Sequence, residues 1–183
     1  MDVKKKIILG VCGSIAAYKS CEIIRRLKDE GINVTVIMSQ SAEQFITPLT
    51  LQTLSGNRVY QGLFDLAVED FDPEHVSLAK KSSLILIAPA TANIIGKIAW
   101  GICDCLLTCV IMASHSPILI APAMNEGMWQ SKILQENISK LKRLGYKFIG
   151  PEKGKLSDGS IGEGRLASAD KIIQEVKKIL KGF

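Results

Sequence analysis

Two stretches of continuous apolar sequence constrain the fold of this chain most. Residues 83–88 (SLILIA) and 118–121 (ILIA) show no alternation of polar and apolar side chains. A strand with this pattern is buried on both faces, which is typical of a parallel sheet covered by helices. Further strand patterns occur at 6–11, 33–38 and 147–149, and helical patterns occur at 14–30, 92–100, 104–113, 130–144 and 169–180. The order predicts an α/β fold: a doubly wound, mostly parallel sheet with helices on both faces, flavodoxin-like or Rossmann-like.

The length and composition predict one soluble domain covering residues 1–183. Hydrophobic residues make up 47% of the chain and charged residues 22%, which excludes a disordered protein. The net charge of +5 is spread over the polar faces of the predicted helices, without a basic block that contains aromatic residues. This pattern argues against a nucleic-acid partner.

Targeting and metal-binding signals are also missing from the sequence. Residues 1–6 lack the features of a signal peptide, and no apolar stretch reaches the ~20 residues of a membrane span. The five cysteines form no CxxC pair, and the three in residues 103–109 have no histidine nearby. We therefore expect a cytoplasmic protein with buried thiols, no membrane partner and no metal.

The segment 122–129 (PAMNEGMW) directly follows a predicted buried strand, at the edge where open α/β sheets bind their ligands. Met124, Asn125, Met128 and Trp129 suit a pocket for a flat, partly apolar ligand with one polar group to be fixed. The alternative is an ordinary loop whose methionines and tryptophan pack on the core.

The first strand leads into a turn of small residues that includes Gly13, Ser14 and Ile15. Such a turn lets the backbone approach a ligand, and the following helix attracts phosphate. The sequence is neither a GxGxxG fingerprint nor a Walker A loop, which disfavours nicotinamide dinucleotides and ATP. A tight turn that only packs helix against strand would also need glycine here.

Two more strand ends supply polar groups at the same predicted edge. Ser39 follows the second strand, and Thr91, Ala92 and Asn93 follow the third. These residue types also cap helices, so capping is the alternative explanation. Their convergence with the first turn favours a mononucleotide-like cofactor.

His75 lies at the end of an aperiodic excursion, residues 58–74, that we interpret as a functional loop. Its near-neutral pKa range makes histidine the best acid/base candidate, although a lone histidine is more often a surface or core residue. Residues 159–165 are predicted to form a glycine-rich loop.

Taken together, these motifs resemble those of the homo-oligomeric flavin-containing cysteine decarboxylases. The resemblance runs nearly end to end and rests on six segments: residues 13–19 (GSIAAYK), 45–51 (FITPLTL), 75–78 (HVSL), 89–108, 122–129 and 159–165 (GSIGEGR). Within this family the chain is most similar to the enzymes that act on 4'-phosphopantothenoylcysteine in coenzyme A biosynthesis.

The resemblance implies an FMN-dependent carboxy-lyase that yields 4'-phosphopantetheine. It implies a homotrimer or a dodecamer of trimers, with FMN bound between subunits. His75 and Asn125 would be catalytic, and Met124, Asn125, Met128 and Trp129 would contact the substrate. The residues implied to hold FMN are Gly13, Ser14, Ile15, Ser39, Phe45, Thr91, Ala92 and Asn93. The flavin would oxidise the cysteine moiety, the carboxylate would leave, and the resulting enethiol would be reduced to the thiol.

Two departures from the family pattern affect this expectation. Asp158 stands where many members have a cysteine that protonates the enethiol, and Ile94 stands where threonine is common. Asp158 is a catalytic candidate only if its pKa is raised, and otherwise it makes an Asp-Gly turn. The second domain of fused relatives is missing from this sequence, so a separate ligase is expected.

Two alternatives remain. One is another flavoprotein of this fold, such as a peptide-cysteine oxidative decarboxylase or a flavin reductase. The other is a non-catalytic FMN-binding regulatory subunit.

Overall fold

A computed structural model describes residues 5–63 and 74–182, and these form a six-stranded sheet with helices on both faces. Neighbouring strands are parallel throughout, in the order β3-β2-β1-β4-β5-β6. The strands are β1 (Lys6–Val11), β2 (Asn33–Met38), β3 (Val59–Tyr60), β4 (Leu84–Ala90), β5 (Ile118–Pro122) and β6 (Lys147–Phe148). The predicted doubly wound parallel fold is confirmed.

The helices follow the strands much as the sequence predicts. They are α1 (Ser20–Asp29), α2 (Pro48–Ser55), α3 (Glu74–Lys81), α4 (Ala92–Trp100), α5 (Leu106–Ala113), α6 (Glu126–Trp129), α7 (Lys132–Arg143) and α8 (Ala169–Lys181). Short 3-10 helices cover Ile15–Lys19 and Gln40–Gln44. Among the described residues, none of these helices has the length and apolar character needed to cross a membrane.

The core consists of two apolar clusters, one on each face of the sheet. Alternate residues of β1 divide between them: Leu9 belongs to the cluster formed with α1 and α8, and Ile8 to the cluster formed with α4, α5 and α7. Every residue of β4 is buried. Because side chains of a strand alternate between faces, a central strand covered on both sides must be apolar at every position.

The strand order places a crevice between β1 and β4. The chain runs outward from β1 through β2 to β3, then crosses to β4 and continues to β5 and β6, so the winding direction reverses between β1 and β4. The backbone N–H of Cys12 donates to the carbonyl of Pro89 at 3.2 Å, which ties the ends of these two strands together. Ligands of such sheets bind at this reversal, beyond the carboxyl ends of the strands.

The structure differs from four expectations drawn from the sequence. Strand β4 continues through Pro89 to Ala90, because its register with β5 shifts between Ile87 and Ala90 and the missing N–H of proline lies within that irregularity. The helical pattern at 14–30 divides into a 3-10 helix and α1. Of the excursion 58–74, the structure shows β3 within its first residues, and residues 64–73 lie outside the described part of the chain.

The fourth difference concerns residues 159–165, which were predicted as a loop but contain strand β8. Strands β7 (Glu152–Lys155) and β8 (Ile161–Arg165) pair antiparallel as a separate two-stranded sheet. Along β8, Gly162 and Gly164 are buried, whereas Ile161, Glu163 and Arg165 are exposed. The alternation of strand burial is therefore present, but glycines occupy the inward positions where an apolar side chain would have signalled a strand.

Candidate active site

A pocket of about 780 Å³ opens at the carboxyl edge of the sheet, beside the β1 and β4 ends. Its walls come from the first turn, the ends of β2 and β4, the segment after β5, and the β7–β8 hairpin. The lining residues are Gly13, Ser14, Ile15, Ala16, Tyr18, Lys19, Ser41, Phe45, Thr91, Asn93, Ala123, Met124, Asn125, Met128, Lys155, Leu156, Ser157, Gly164, Arg165 and Leu166. Parallel strands deliver all of the first four walls to one edge, which is why residues so distant in sequence meet here.

The first turn closes tightly against the loop after β2. A Cβ atom on Gly13 would lie 2.4 Å from the Ser41 hydroxyl and 3.0 Å from the Ser41 carbonyl carbon. The next residue, Ser14, caps the 3-10 helix by accepting a hydrogen bond from the N–H of Ala16 at 3.3 Å. Gly13 is thus needed for packing, and its lack of a side chain also leaves the backbone of the turn on the pocket wall.

The ends of β2 and β4 contribute hydroxyl, amide and aromatic groups. Ser41 and Phe45 line the pocket, whereas Ser39 stands behind Ser41, with 3.1 Å between their hydroxyl oxygens. Thr91 lines the pocket and also caps α4, because its hydroxyl accepts from the N–H of Ile94 at 3.3 Å. Asn93 lines the pocket as well, and the intervening residue Ala92 is not part of the wall. Thr91 therefore both caps α4 and lines the pocket, so its capping role is compatible with the predicted role in ligand binding.

The segment after β5 presents Met124, Asn125 and Met128 to the pocket. Asn125 caps α6 through its side-chain oxygen, which accepts from the N–H of Gly127 at 2.8 Å. This fixes which end of the amide faces outward, so its nitrogen is the end left for other partners. Trp129 lies off the pocket wall: it packs against the second core cluster, and its indole N–H donates to Glu163 at 3.3 Å.

The β7–β8 hairpin forms the wall that sequence analysis missed. It contributes Lys155 and Arg165, which line the pocket together with Lys19 of the first turn. Burial and the nearby charge of Arg165 lower the pKa of Lys19. Among the described residues, no Asp or Glu lines this pocket, so its field favours an anionic ligand. In the sequence, the signal for this wall was a pair of cations, Lys155 and Arg165, on either side of the glycines at 159–164.

Asp158 lies at the tip of the hairpin, beside Asn125 but outside the pocket lining. The Asn125 amide nitrogen donates to its carboxylate at 3.2 Å. The hydroxyl and backbone N–H of Ser160 donate to the same group at 2.6 Å and 2.9 Å. These bonds, with the Ser160 hydroxyl first, lower the pKa of Asp158. A proton donor at neutral pH would need the opposite shift, so the geometry favours the turn role over the donor role.

His75 does not reach the pocket of the chain that carries it. The residue is half-buried in α3. Helix α3 packs through Ala79 into the core cluster on the α4 and α5 face of the sheet. The first turn, by contrast, packs through Ala16 and Ala17 into the opposite cluster. Asn125 lines the pocket and His75 does not, so the pocket of one chain does not bring the two residues together.

The chain belongs to the Flavoprotein family, whose model matches residues 1–181. Family membership assigns it a flavin cofactor. Among its relatives is a probable phosphopantothenoylcysteine decarboxylase of Streptococcus mutans, which is 44% identical over 96% of this chain and 99% of that protein. Another is the coenzyme A biosynthesis bifunctional protein CoaBC of Borreliella burgdorferi, 50% identical over 95% of this chain. The chain spans only 44% of that bifunctional protein.

Solved structures agree with this placement. A PPC decarboxylase mutant complexed with pantothenoylaminoethenethiol superposes with a TM-score of 0.85 at 30% identity, covering 97% of this chain and 99% of the other. The FMN-dependent cysteine decarboxylase SpaF superposes with a TM-score of 0.84 at 26% identity, covering 97% of each chain. The family resemblance inferred from the sequence motifs is confirmed.

Proposed function

We propose that this protein catalyses the FMN-dependent decarboxylation of 4'-phosphopantothenoylcysteine to 4'-phosphopantetheine. The observation that carries the proposal is one pocket whose lining combines an amide donor, Asn125, with three cations, Lys19, Lys155 and Arg165. The proposed substrate carries a carboxylate and a phosphate, and these are the two groups that such a lining binds. The chain is also similar to a probable phosphopantothenoylcysteine decarboxylase over 99% of that protein's length, and this similarity supports the same reaction.

The residues present fit FMN. The first turn has no space for a side chain at Gly13, and the hydroxyl-bearing residues Ser14, Ser41 and Thr91 line the same pocket. Small residues at the start of a helix, with hydroxyls nearby, suit a phosphate group. Ile15 and Phe45 are 59% and 46% exposed at the rim and offer apolar surface to a flat ring. When bound, FMN supplies a hydride acceptor for the thiol-bearing carbon of the substrate.

Asn125 would bind the substrate carboxylate. Its side-chain oxygen is engaged by Gly127 and one of its N–H groups by Asp158, which leaves the second N–H for the ligand. Because both ends of the amide are held, Asp158 acts in this proposal as the residue that orients Asn125. Met124 and Met128 would cover the pantothenoyl chain with adaptable apolar surface.

His75 would move the proton, and we propose that it acts on the pocket of a neighbouring subunit. Because His75 does not line the pocket of its own chain, a catalytic role would need such an arrangement. Exposed apolar side chains at the pocket rim support an assembly, because Ile15, Phe45 and Met128 are 46% to 59% exposed. We infer a homotrimer or a larger assembly of trimers, with a separate ligase forming the substrate.

A peptide-cysteine decarboxylase is the competing activity, and the cations disfavour it because a peptide ending in cysteine carries only one carboxylate at the reacting end. The decisive experiment incubates the purified protein separately with 4'-phosphopantothenoylcysteine and with a peptide ending in cysteine. Mass spectrometry then follows the products. We expect loss of carbon dioxide from the phosphorylated compound and saturated thiol as the product. Turnover of the peptide alone, or release of enethiol as the sole product, would replace this proposal with the competing one.

A further inference from the structure

Glu126 links the segment after β5 to the β7–β8 hairpin. One carboxylate oxygen of Glu126 accepts a hydrogen bond from the backbone N–H of Glu163 at 3.0 Å. The carboxylate also lies against Gly162: a Cβ atom at that position would fall 2.4 Å from Oε2 and 2.7 Å from Oε1. Those two oxygens and the carbon between them are the nearest atoms that such a Cβ would meet. The carboxylate of Glu126 therefore occupies the space of a side chain on β8.

Besides the bond from Asn125 to Asp158, two further bonds join the same pair of segments. The backbone N–H of Met124 donates to the carbonyl of Gly164 at 2.9 Å. At the outer side, the Trp129 indole donates to the exposed carboxylate of Glu163 at 3.3 Å. Glu126 lies between these contacts and is half-buried. Three side chains of this segment bond to the hairpin, those of Asn125, Glu126 and Trp129, and only Glu126 has a backbone partner there. Its bond therefore fixes the strand itself.

The position of β8 determines where the hairpin's cations stand. Arg165 ends β8, and Lys155 ends the paired strand β7, where it lies opposite Ile161. Both cations line the same pocket as Asn125, which is the residue that precedes Glu126 in the chain. A shift of β8 relative to α6 would therefore change the separation between the amide donor and the cations.

We propose that Glu126 is a positioning residue that sets the spacing between the carboxylate-binding amide of Asn125 and the cations on the hairpin. Its consequence for substrate binding rests on the proposed function: a ligand with an anion at each end is held well only when the two sites match its length. Loss of Glu126 would then weaken binding of the ground state and of the transition state alike. Such a uniform loss raises KM and leaves kcat unchanged.

The test compares Glu126→Ala, Glu126→Gln, Gly162→Ala and the double variant Glu126→Ala with Gly162→Ala. The matched control is Glu136→Ala, which removes an exposed glutamate from α7. For Glu126→Ala we expect KM to rise about tenfold, the loss of one hydrogen bond to a charged group, with kcat within about twofold of the parent. Glu126→Gln keeps an oxygen acceptor and should recover most of the parent KM. The control should match the parent.

Gly162→Ala should reproduce the Glu126→Ala effect, since the new methyl group displaces the carboxylate. The double variant should then be no worse than either single variant, because both changes break the same contact. Fully additive increases in KM would show that the two residues act separately. Two results would overturn the proposal. One is the parent KM in Glu126→Ala, and the other is a loss of kcat in Glu126→Gln as large as its rise in KM.

A second measurement does not depend on the reaction. Limited tryptic cleavage after Lys153 and Lys155, followed by mass spectrometry of the intact chain, reports how firmly the hairpin is held. We expect faster cleavage in Glu126→Ala and Gly162→Ala than in the parent and in Glu136→Ala. If the parent fails to turn over substrate, the proposed function is wrong while this measurement still decides the role of Glu126. Equal cleavage rates in all variants would overturn that role.

Discussion

The side-chain amide of Asn125 donates a 3.2 Å hydrogen bond to the carboxylate of Asp158, across the boundary between the segment after β5 and the hairpin. The two residues are 33 positions apart in sequence, and each is also fixed locally. Asn125 is held by Gly127, and Asp158 is held by Ser160. An uncharged donor beside a charged acceptor makes this contact sensitive to any change of charge on either side.

Asn125→Asp is expected to reduce turnover by at least about 100-fold while flavin stays bound. The substitution replaces the donor with a negative charge next to Asp158 and next to the substrate carboxylate. Steady-state rates and flavin absorbance of the purified variant check this result. Combining Asn125→Asp with Asp158→Asn relieves the repulsion within the protein but not that with the substrate. Recovery of the parent rate in the double variant would therefore contradict a role in carboxylate binding.

Asp158→Asn should leave the saturated thiol as the product. Hydrogen bonds from Ser160 keep the pKa of Asp158 below its ordinary value, so the carboxyl group is ionised at neutral pH and has no proton to give. The measurement is the product mass, with Ser157→Ala on the same loop as the control. Accumulation of a product lighter by two hydrogen atoms would restore Asp158 as the donor to the enethiol.

Gly13→Ala should lower the flavin content of the purified protein. The new methyl group would meet the Ser41 side chain at 2.4 Å and its backbone at 3.0 Å, which forces the first turn and the β2 loop apart. Gly96→Ala is the matched control, because a Cβ there finds only one atom within 4 Å, at 3.9 Å. The ratio of visible to ultraviolet absorbance measures bound flavin. Equal ratios for the two variants would remove Gly13 from the cofactor site.

His75→Asn and Asn125→Asp should each be inactive alone but active after mixing. If His75 serves the pocket of a neighbouring subunit, a mixed assembly contains some pockets with both native residues. Co-expression of the two variants with different tags, followed by tandem purification, gives such assemblies. We expect a fraction of the parent rate, well above that of either variant. Failure of the mixture to regain activity would argue against a shared site.

Glu152→Gln should destabilise the protein at neutral pH, and this effect should shrink as the pH falls through the acidic range. Lys171 forms an ion pair with Glu152 at 2.8 Å and, with the Ser168 N–H, lowers the pKa of the carboxylate. A depressed pKa contributes stability above the unfolded value of ~4.3, and this contribution disappears as the pH falls through the folded pKa. Because Lys171 is largely exposed, the difference should be at most about 1 kcal/mol. Thermal melts of both proteins between pH 3 and 7 measure it.

The sheet and the edge that carries the candidate site could be predicted because their sequence signals are local. The runs around Leu86 and Leu119 are apolar at every position, and glycines or capping residues mark most helix ends. The hairpin could not be predicted in the same way. Its buried positions are Gly162 and Gly164, and the contacts that make glycine necessary there come from residues 124–126, far away in the sequence.

The site residues also divide into those that the sequence predicted and those that it did not. Nine of the twelve residues inferred to bind cofactor or substrate line the pocket, namely Gly13, Ser14, Ile15, Phe45, Thr91, Asn93, Met124, Asn125 and Met128. Ser39, Ala92 and Trp129 do not line it. Lys19, Lys155 and Arg165 were missed because a surface lysine or arginine looks the same in sequence whether or not a fold gathers several of them.

The close approach of Gly164 to Met124 bears on how these proteins can be recombined. A Cβ on Gly164 would lie 2.1 Å from the Met124 carbonyl oxygen, and that glycine has φ of +155°. The two backbones are in direct contact, with no side chain between them to absorb a misfit. A graft that moves the hairpin of one family member onto another must therefore carry the segment after β5 with it. In protein engineering terms, these two segments form one exchangeable cassette, although residues 130–151 separate their nearest ends in the chain.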